Sequence, residues 1–203
     1  KTDPDTLERL VPEAMGSDCA ETLKLHLERY EYAVSVARPG RLPDIARGVG
    51  CGSCILAARV PDGTALGVDI SHSAIEYATR KDAKAKRELS LCDATEFRDA
   101  EGFDTIVSLE TIEHVPNPAK MIANLADLLR SGGVLVASMP STTVDATRIT
   151  FMNYLKFFQT AFQDSRSFGA RMLSAASDTG NGFSGPADSF AKSGELGEDG
   201  IGS

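Results

Sequence analysis

No run of apolar residues in this chain approaches the roughly 20 needed to span a membrane, so a transmembrane segment is not expected. The first residues, KTDPDTLERL, lack the apolar core of a signal peptide. The sequence begins at Lys1 rather than at a methionine, so an earlier start or a processed terminus is expected. Basic residues are in the minority, 21 Lys and Arg against 29 Asp and Glu, for a formal net charge of −8. Non-specific binding of a polyanion needs a basic face, so nucleic acid is not an expected partner. A small neutral or cationic ligand suits this charge. Cysteine is also scarce. Cys19, Cys51, Cys54 and Cys92 are too scattered for a disulfide framework, and a reduced, cytoplasmic setting follows as the expectation.

What is present is the composition of a soluble globular chain: 203 residues, 42% hydrophobic and 25% charged. That length allows one domain with a sizeable core. Residues 17–37 read as a helix, with Leu23, Leu27, Tyr30, Val34 and Ala37 at helical spacing and Asp18 and Glu21 as a capping pair. RPG at 38–40 breaks it. Strand and helix then alternate. RLPDIA, TALGVDI, ELSLC, FDTIVSL and VLVASM read as five strands. SCILAARV, AIEYATRK (capped by Ser71 or Ser73) and NPAKMIANLADLLR (stopped by SGG) read as helices. The strands are continuous apolar runs, as when both faces are buried. The fold class expected is therefore α/β, with a doubly wound, mostly parallel sheet.

The last third fits this pattern less well. ITFMNYLKFFQTAF reads as a helix with an aromatic face, which either lines an acceptor pocket or covers the sheet, and no strand is recognised after it. Residues 177–203 hold seven glycines and almost no apolar periodicity, which reads as a flexible tail. The expected division is a helical segment or lid at 1–40, a ligand-binding domain at 41–176 and a tail at 177–203.

Open α/β sheets bind ligands at the carboxyl ends of their strands. In DIARGVGCGSCI, Gly48 and Gly50 let the backbone turn sharply and come close to a ligand. Asp69 ends the next strand, where a carboxylate can accept from both hydroxyls of a ribose. Three features then favour an adenosyl sulfonium over a dinucleotide. A GxGxxG pattern from Gly48 would need glycine where Ser53 stands. Asp44, just before the bend, suits an ammonium and a sulfonium and would repel a pyrophosphate. Asp93, after the third strand, can accept from an adenine amino group. CGSC also has the spacing of a dithiol centre, but that reading leaves Asp69 and Asp93 unexplained.

With these residues in place, the chain resembles the class I S-adenosylmethionine-dependent methyltransferases, in particular the small-molecule group called type 11. The matching stretches are DIARGVGCG, ALGVDIS, LCDAT, FDTIVSLETIEHVPNP and LLRSGGVLVASMP, about residues 41–140. Upstream, ERLVPE and HLERYEYA resemble the N-terminal segment of a bacterial subgroup found in sugar and surface-polysaccharide gene contexts. The resemblance implies the Rossmann-like fold, S-adenosylmethionine as cofactor and S-adenosylhomocysteine as product. It implies that Asp44, Ala46, Gly48 and Gly50 line the methionine part of the cofactor. Asp69 falls on the ribose acid, Ile70 on the adenine platform, Asp93 and Ala94 at the adenine edge. Leu109 and Glu110 face the cofactor and the reaction centre.

Within ETIEH, His114 is the first candidate for general base, because imidazole titrates near neutrality, with Glu110 beside it. The bland alternative is that His114 braces the loop before Pro116. A divalent ion on Glu110, Glu113 and His114 is not expected, with His26 and His72 as the only other histidines. Tyr30 and Tyr32 read first as packing residues and second as cover for the cofactor. Three departures from the family pattern stand out: Pro43 in a central strand, Arg47 at a position usually small, and no recognisable antiparallel strand pair at the end. The expected activity is methyl transfer to a small-molecule acceptor, first to an oxygen on a sugar. The alternatives are a S-adenosylmethionine-binding protein without turnover and an NAD-dependent oxidoreductase.

Overall fold

A computed structural model describes residues 20–59, 65–81, 87–138 and 172–173. The elements run α1 (Ala20–Val36), β1 (Leu42–Ile45), α2 (Cys51–Arg59), β2 (Ala65–Asp69), α3 (His72–Lys81), β3 (Arg87–Leu91) and β4 (Phe103–Leu109). A 3-10 turn (Ile112–His114), α4 (Pro118–Leu128), β5 (Leu129–Ser138) and β6 (Met172–Leu173) follow. The sheet has the order β3-β2-β1-β4-β5-β6, and every pairing is parallel. Strand order reverses between β1 and β4. In open α/β sheets the ligand crevice lies at the carboxyl ends of the strands on either side of such a reversal.

Both faces of the central strands are covered, and β1, β2 and β4 are buried along almost their whole length, whereas edge strand β3 is polar and its Leu91 is 51% exposed. On one face Tyr30 and Ala33 of α1 and Leu56 of α2 pack on Leu42, Val107, Val134 and Val136. On the other, Met121, Ile122, Leu125 and Leu128 of α4 pack with Phe103, Ile106, Leu135, Ile45 and Val68. Val107 and Ile106 go to opposite faces, as the alternation of a strand requires.

Several local expectations are met and several are corrected. Asn117, which the sequence places inside the helix, is instead its cap: α4 starts at Pro118, and the Asn117 side chain accepts from Lys120 N. Ser71 caps α3 by accepting from Ala74 N at 3.1 Å. SGG does not stop α4: the helix ends at Leu128, and Leu129 already has extended backbone (φ −78, ψ 136). The glycines instead lie inside β5, where Gly132 has φ 75 and the register with β4 shifts between Phe103 and Thr105. No strand is expected past the fifth, whereas Met172 and Leu173 pair parallel with Leu135 and Val136. The aromatic segment 149–162, the tail 177–203 and the capping residue Asp18 lie outside the described residues.

Pro43 does sit in a central strand, and its effect is local. β1 pairs with β2 over four residues, but with β4 only at Asp44↔Val107. The Arg41 carbonyl accepts from Asp104 N at 3.0 Å, so by alternation Pro43 faces β4 with no N–H to give. No described helix is long and apolar enough to cross a membrane.

Candidate functional site

The bend after β1 is built around two inward side chains. Asp44, only 2% exposed, accepts from Tyr30 Oη at 3.1 and 3.2 Å and from Ser53 Oγ. Burial pushes the Asp44 carboxyl up to about 6, against the pull of the Ser53, Arg47 and Tyr30 contacts. Arg47, 4% exposed, donates from Nε to Ser53 Oγ at 3.1 Å. Asp44 therefore supports the bend from below, with α1 and α2 supplying the donors.

Above them the backbone is shaped for close approach. Ala46 and Gly48 hold φ of 60 and 57, and Gly50 holds 85. A Cβ on Gly48 would meet nothing within 4 Å, so this glycine opens onto free space. A Cβ on Gly50 would strike the Arg47 guanidinium, and one on Gly52 the Tyr30 ring at 2.0 Å. Gly48 thus faces open space, while Gly50 and Gly52 make room for side chains of the protein itself.

Asp69 at the tip of β2 ties this bend to the sheet. Its carboxylate accepts from Gly48 N at 2.7 Å and Ser71 N at 2.9 Å. Beside it, Ile70 is 44% exposed, an apolar surface at the strand tip. At the tip of β3, Asp93 accepts from Thr95 N at 2.8 Å, and Ala94 is buried. Asp69, Ile70, Asp93 and the Gly48 amide thus line the carboxyl ends of three adjacent strands, β1 to β3.

Across the reversal, β4 ends in buried Leu109 and then Glu110, a non-glycine residue with φ 50. Glu110 accepts from Ser138 Oγ at 2.7 Å, donates its N–H to the Ser138 carbonyl at 3.0 Å, and lies 3.7 Å from Arg29 of α1. Such backbone is costly for a side-chain-bearing residue, by about 1–3 kcal/mol, and the Ser138 contacts hold it in place. Glu113 and His114 follow in the 3-10 turn, with Glu113 Oε1 3.7 Å from His114 Nε2. His114 is 61% exposed, whereas Glu113 is mostly buried, and burial together with Glu110 pushes its carboxyl up to about 7. His26 on α1 packs edge-on to Tyr30, and burial followed by the Arg29 charge lowers it to about 4.

Sequence reasoning placed every one of its candidate residues at the carboxyl end of the sheet. It missed Tyr30 as a partner of Asp44, and it missed Ser53, Arg29 and Ser138. Ser53 lies within DIARGVGCGSCI, nine residues from Asp44, and only the fold of the bend turns its hydroxyl onto that carboxylate. Among the described residues no group of three or more His, Cys, Asp and Glu is placed to hold a metal ion. Cys51 and Cys54, at the start of α2, form no disulfide.

Residues 44–137 match the family model described as methyltransferase domain. Over 97 residues the chain is 38% identical to a ubiquinone biosynthesis O-methyltransferase of Coxiella burnetii, covering 44% of this chain and 41% of that protein. Over 113 residues it is 29% identical to a trans-aconitate 2-methyltransferase of Methylobacterium radiotolerans, covering 54% and 43%. The chain thus spans about two fifths of the length of these curated relatives. In fold it is similar to the crystal structure of the N-methyltransferase NodS from Bradyrhizobium japonicum in complex with S-adenosyl-L-homocysteine. The TM-score is 0.53 at 21% identity, covering 69% of this chain and 73% of that one.

Proposed function

We propose that this chain, a class I S-adenosylmethionine-dependent methyltransferase by its domain at residues 44–137, moves a methyl group to a small-molecule acceptor, with oxygen as the acceptor atom. The observation that carries this reading is the row at the tips of β1 to β3. The open face of Gly48, the Asp69 carboxylate and the exposed Ile70 side chain lie side by side there. That row fits an adenosyl group. Asp69 retains acceptor capacity for ribose hydroxyls beyond the two amides it already takes, Ile70 offers the adenine a flat apolar contact, and Asp93 stands at its amino edge. Gly48 leaves its backbone accessible to the methionine part, with Ala46 and Gly50 fixing the bend and Leu109 closing the site from β4.

When bound, the cofactor supplies a methyl group on a cationic sulfur and departs as a neutral thioether. The protein's share is placement of the acceptor, which can supply several kcal/mol and up to about 7–11 when alignment is good. Removal of the acceptor's proton falls to His114, an exposed imidazole in the turn that follows β4. Glu110, held by Ser138 and Arg29, fixes the wall between cofactor and acceptor. An oxygen acceptor is supported by the identity to the ubiquinone biosynthesis O-methyltransferase. The upstream segment that resembles sugar-context relatives supports a sugar as the acceptor's class.

A second reading, cofactor binding without turnover, is favoured by one observation: Asp44 is occupied by Tyr30, Ser53 and Arg47 rather than open to a ligand cation. Thermal unfolding with S-adenosylmethionine, S-adenosylhomocysteine and NAD tests the cofactor. At 100 times its dissociation constant a ligand adds about 2.7 kcal/mol, and this is expected for the first two and not for NAD. Transfer of a labelled methyl group to hydroxylated acceptors then separates the enzyme from the binding protein.

A further inference from the structure

The buried residues of α4 are apolar with one exception. Met121, Ile122, Leu125, Ala126 and Leu128 carry no polar side-chain group, whereas Asn124 is a buried carboxamide. Such a group costs stability unless its polar atoms are paired. Asn124 is paired, and its side-chain partners all lie in the loop that follows β3. Its Nδ2 donates to the Ala94 carbonyl at 2.8 Å and to the Phe97 carbonyl at 3.0 Å. Its Oδ1 accepts from Arg98 Nη1, which also donates to the Phe97 carbonyl, at 2.8 Å. Two acceptors and one donor converge here, a set that a carboxamide matches and a carboxylate or a hydroxyl does not.

The same loop carries Asp93 at its start. The Asp93 carboxylate accepts from Thr95 N at 2.8 Å, and its carbonyl accepts from Glu96 N and Phe97 N, each at 2.9 Å. These bonds are internal to residues 93–97. They set the shape of the turn, not its place against the sheet. Burial of Ala94 and Phe97 in the core holds the turn down, but apolar contact is not directional. Direction comes from two anchors. On the β2 side Cys92 N donates to the Asp69 carbonyl at 2.9 Å, and on the α4 side the Asn124 amide holds the carbonyls of Ala94 and Phe97. Ala94 is the neighbour of Asp93 in the chain, so a shift of the one carries the other. We propose that Asn124 is a positioning residue for base recognition: from α4 it fixes the turn 93–97 so that the Asp93 carboxylate meets the amino group of adenine. The site then chooses an adenosyl group over a nucleoside that lacks this amino group. Asn124 acts through the Ala94 and Phe97 carbonyls, not on the ligand. This inference rests on the cofactor reading above.

Calorimetric titration of the full chain with S-adenosylhomocysteine and with S-inosylhomocysteine, which has an oxygen in place of the adenine amino group, tests it. The readout is the ratio of the two dissociation constants, which a general weakening of the fold does not move. Wild type is expected to favour the adenosyl ligand by about tenfold or more. Asn124→Asp keeps the size of the side chain and its pairing with Arg98 but replaces both donors by an acceptor. It is expected to shrink the preference by at least about fivefold, chiefly through weaker binding of the adenosyl ligand. Lys120→Ala removes the exposed ion pair that α4 makes with Glu96 of the same turn, and is expected to leave the ratio unchanged. Should Asn124→Asp fail to fold, Asn124→Ser, with one donor in place of two, serves for the same comparison. An unchanged ratio in the Asn124 variant, or a wild type that binds both ligands equally, overturns the role of Asn124 while leaving the cofactor reading standing. Failure of wild type to bind either ligand overturns both.

Discussion

The Tyr30 hydroxyl on α1 stands 3.1 and 3.2 Å from the two carboxylate oxygens of Asp44 on β1, with both residues buried. A phenol and a carboxylate removed from water need each other, and this pair fixes α1 against the carboxyl end of the sheet. Tyr30→Phe keeps the ring and deletes the donor. It is expected to lose about 1–3 kcal/mol, because the hydrogen bond has a charged acceptor left buried behind it. Urea unfolding of the two proteins measures this, and equal midpoints would mean the contact contributes nothing.

The glycines of the bend are expected to separate by what their added Cβ meets. Gly52→Ala drives a methyl into the Tyr30 ring and is expected to cost about 1–3 kcal/mol of stability. Gly48→Ala meets open space and carries only the strain of φ 57, about 1 kcal/mol. Its methyl group projects where the ligand is proposed to lie, so its main effect is expected on affinity for S-adenosylhomocysteine, by about tenfold or more. Paired unfolding and binding measurements check both, and the reverse ranking would misplace the crevice.

Ala46 is the complementary case, since it holds φ 60 without being glycine. Ala46→Gly relieves a left-handed residue of its Cβ and is expected to stabilise the fold by about 0.5–1 kcal/mol, net of the extra freedom glycine has when unfolded. Thermal unfolding gives the answer. A destabilised variant would show that the Ala46 methyl group contributes packing that outweighs the strain.

Glu113 predicts a pH dependence. Its folded carboxyl titrates at about 7, above the ordinary value of 4.5. A raised folded value means the native state holds a proton that the unfolded chain has released, so stability falls as pH rises between those two values. Glu113→Gln removes this slope. Its melting temperature relative to wild type is expected to rise between about pH 5 and about pH 8, by an amount equivalent to about 1–2 kcal/mol after allowing for solvent screening. His26 slopes the other way, because its lowered value favours the native state as pH rises from about 4 towards 6.5. Its contribution is common to both proteins and cancels in the difference. A constant difference across the range would place the Glu113 carboxyl in water.

The order of strands and helices was legible because β2, β4 and the end of β5 are short, mostly apolar runs that stop at Asp69, before Glu110 and at Ser138. Asp69 and Asp93 were legible as carboxylates at or just past a strand's end. Partners from distant segments were not legible. Tyr30 lies 14 residues from Asp44, and Ser138 lies 28 from Glu110. Nothing in local spacing announces either pair, since each forms only when the sheet brings separate strand ends together. The end of α4 was misread because SGG signals a helix stop in the abstract. In the fold, the parallel pairing of Leu129 with Phe103 claims that residue for β5 before the glycines are reached.

The central claim is that an adenosyl group lies along the tips of β1 to β3, and a crystal structure of the chain with S-adenosylhomocysteine tests it most directly. The ribose hydroxyls are expected within hydrogen-bond distance of the Asp69 carboxylate, the adenine against Ile70 with its amino group towards Asp93, and the thioether over Gly48. A nucleoside found away from Asp69, or seated on the other end of the sheet, would contradict the account.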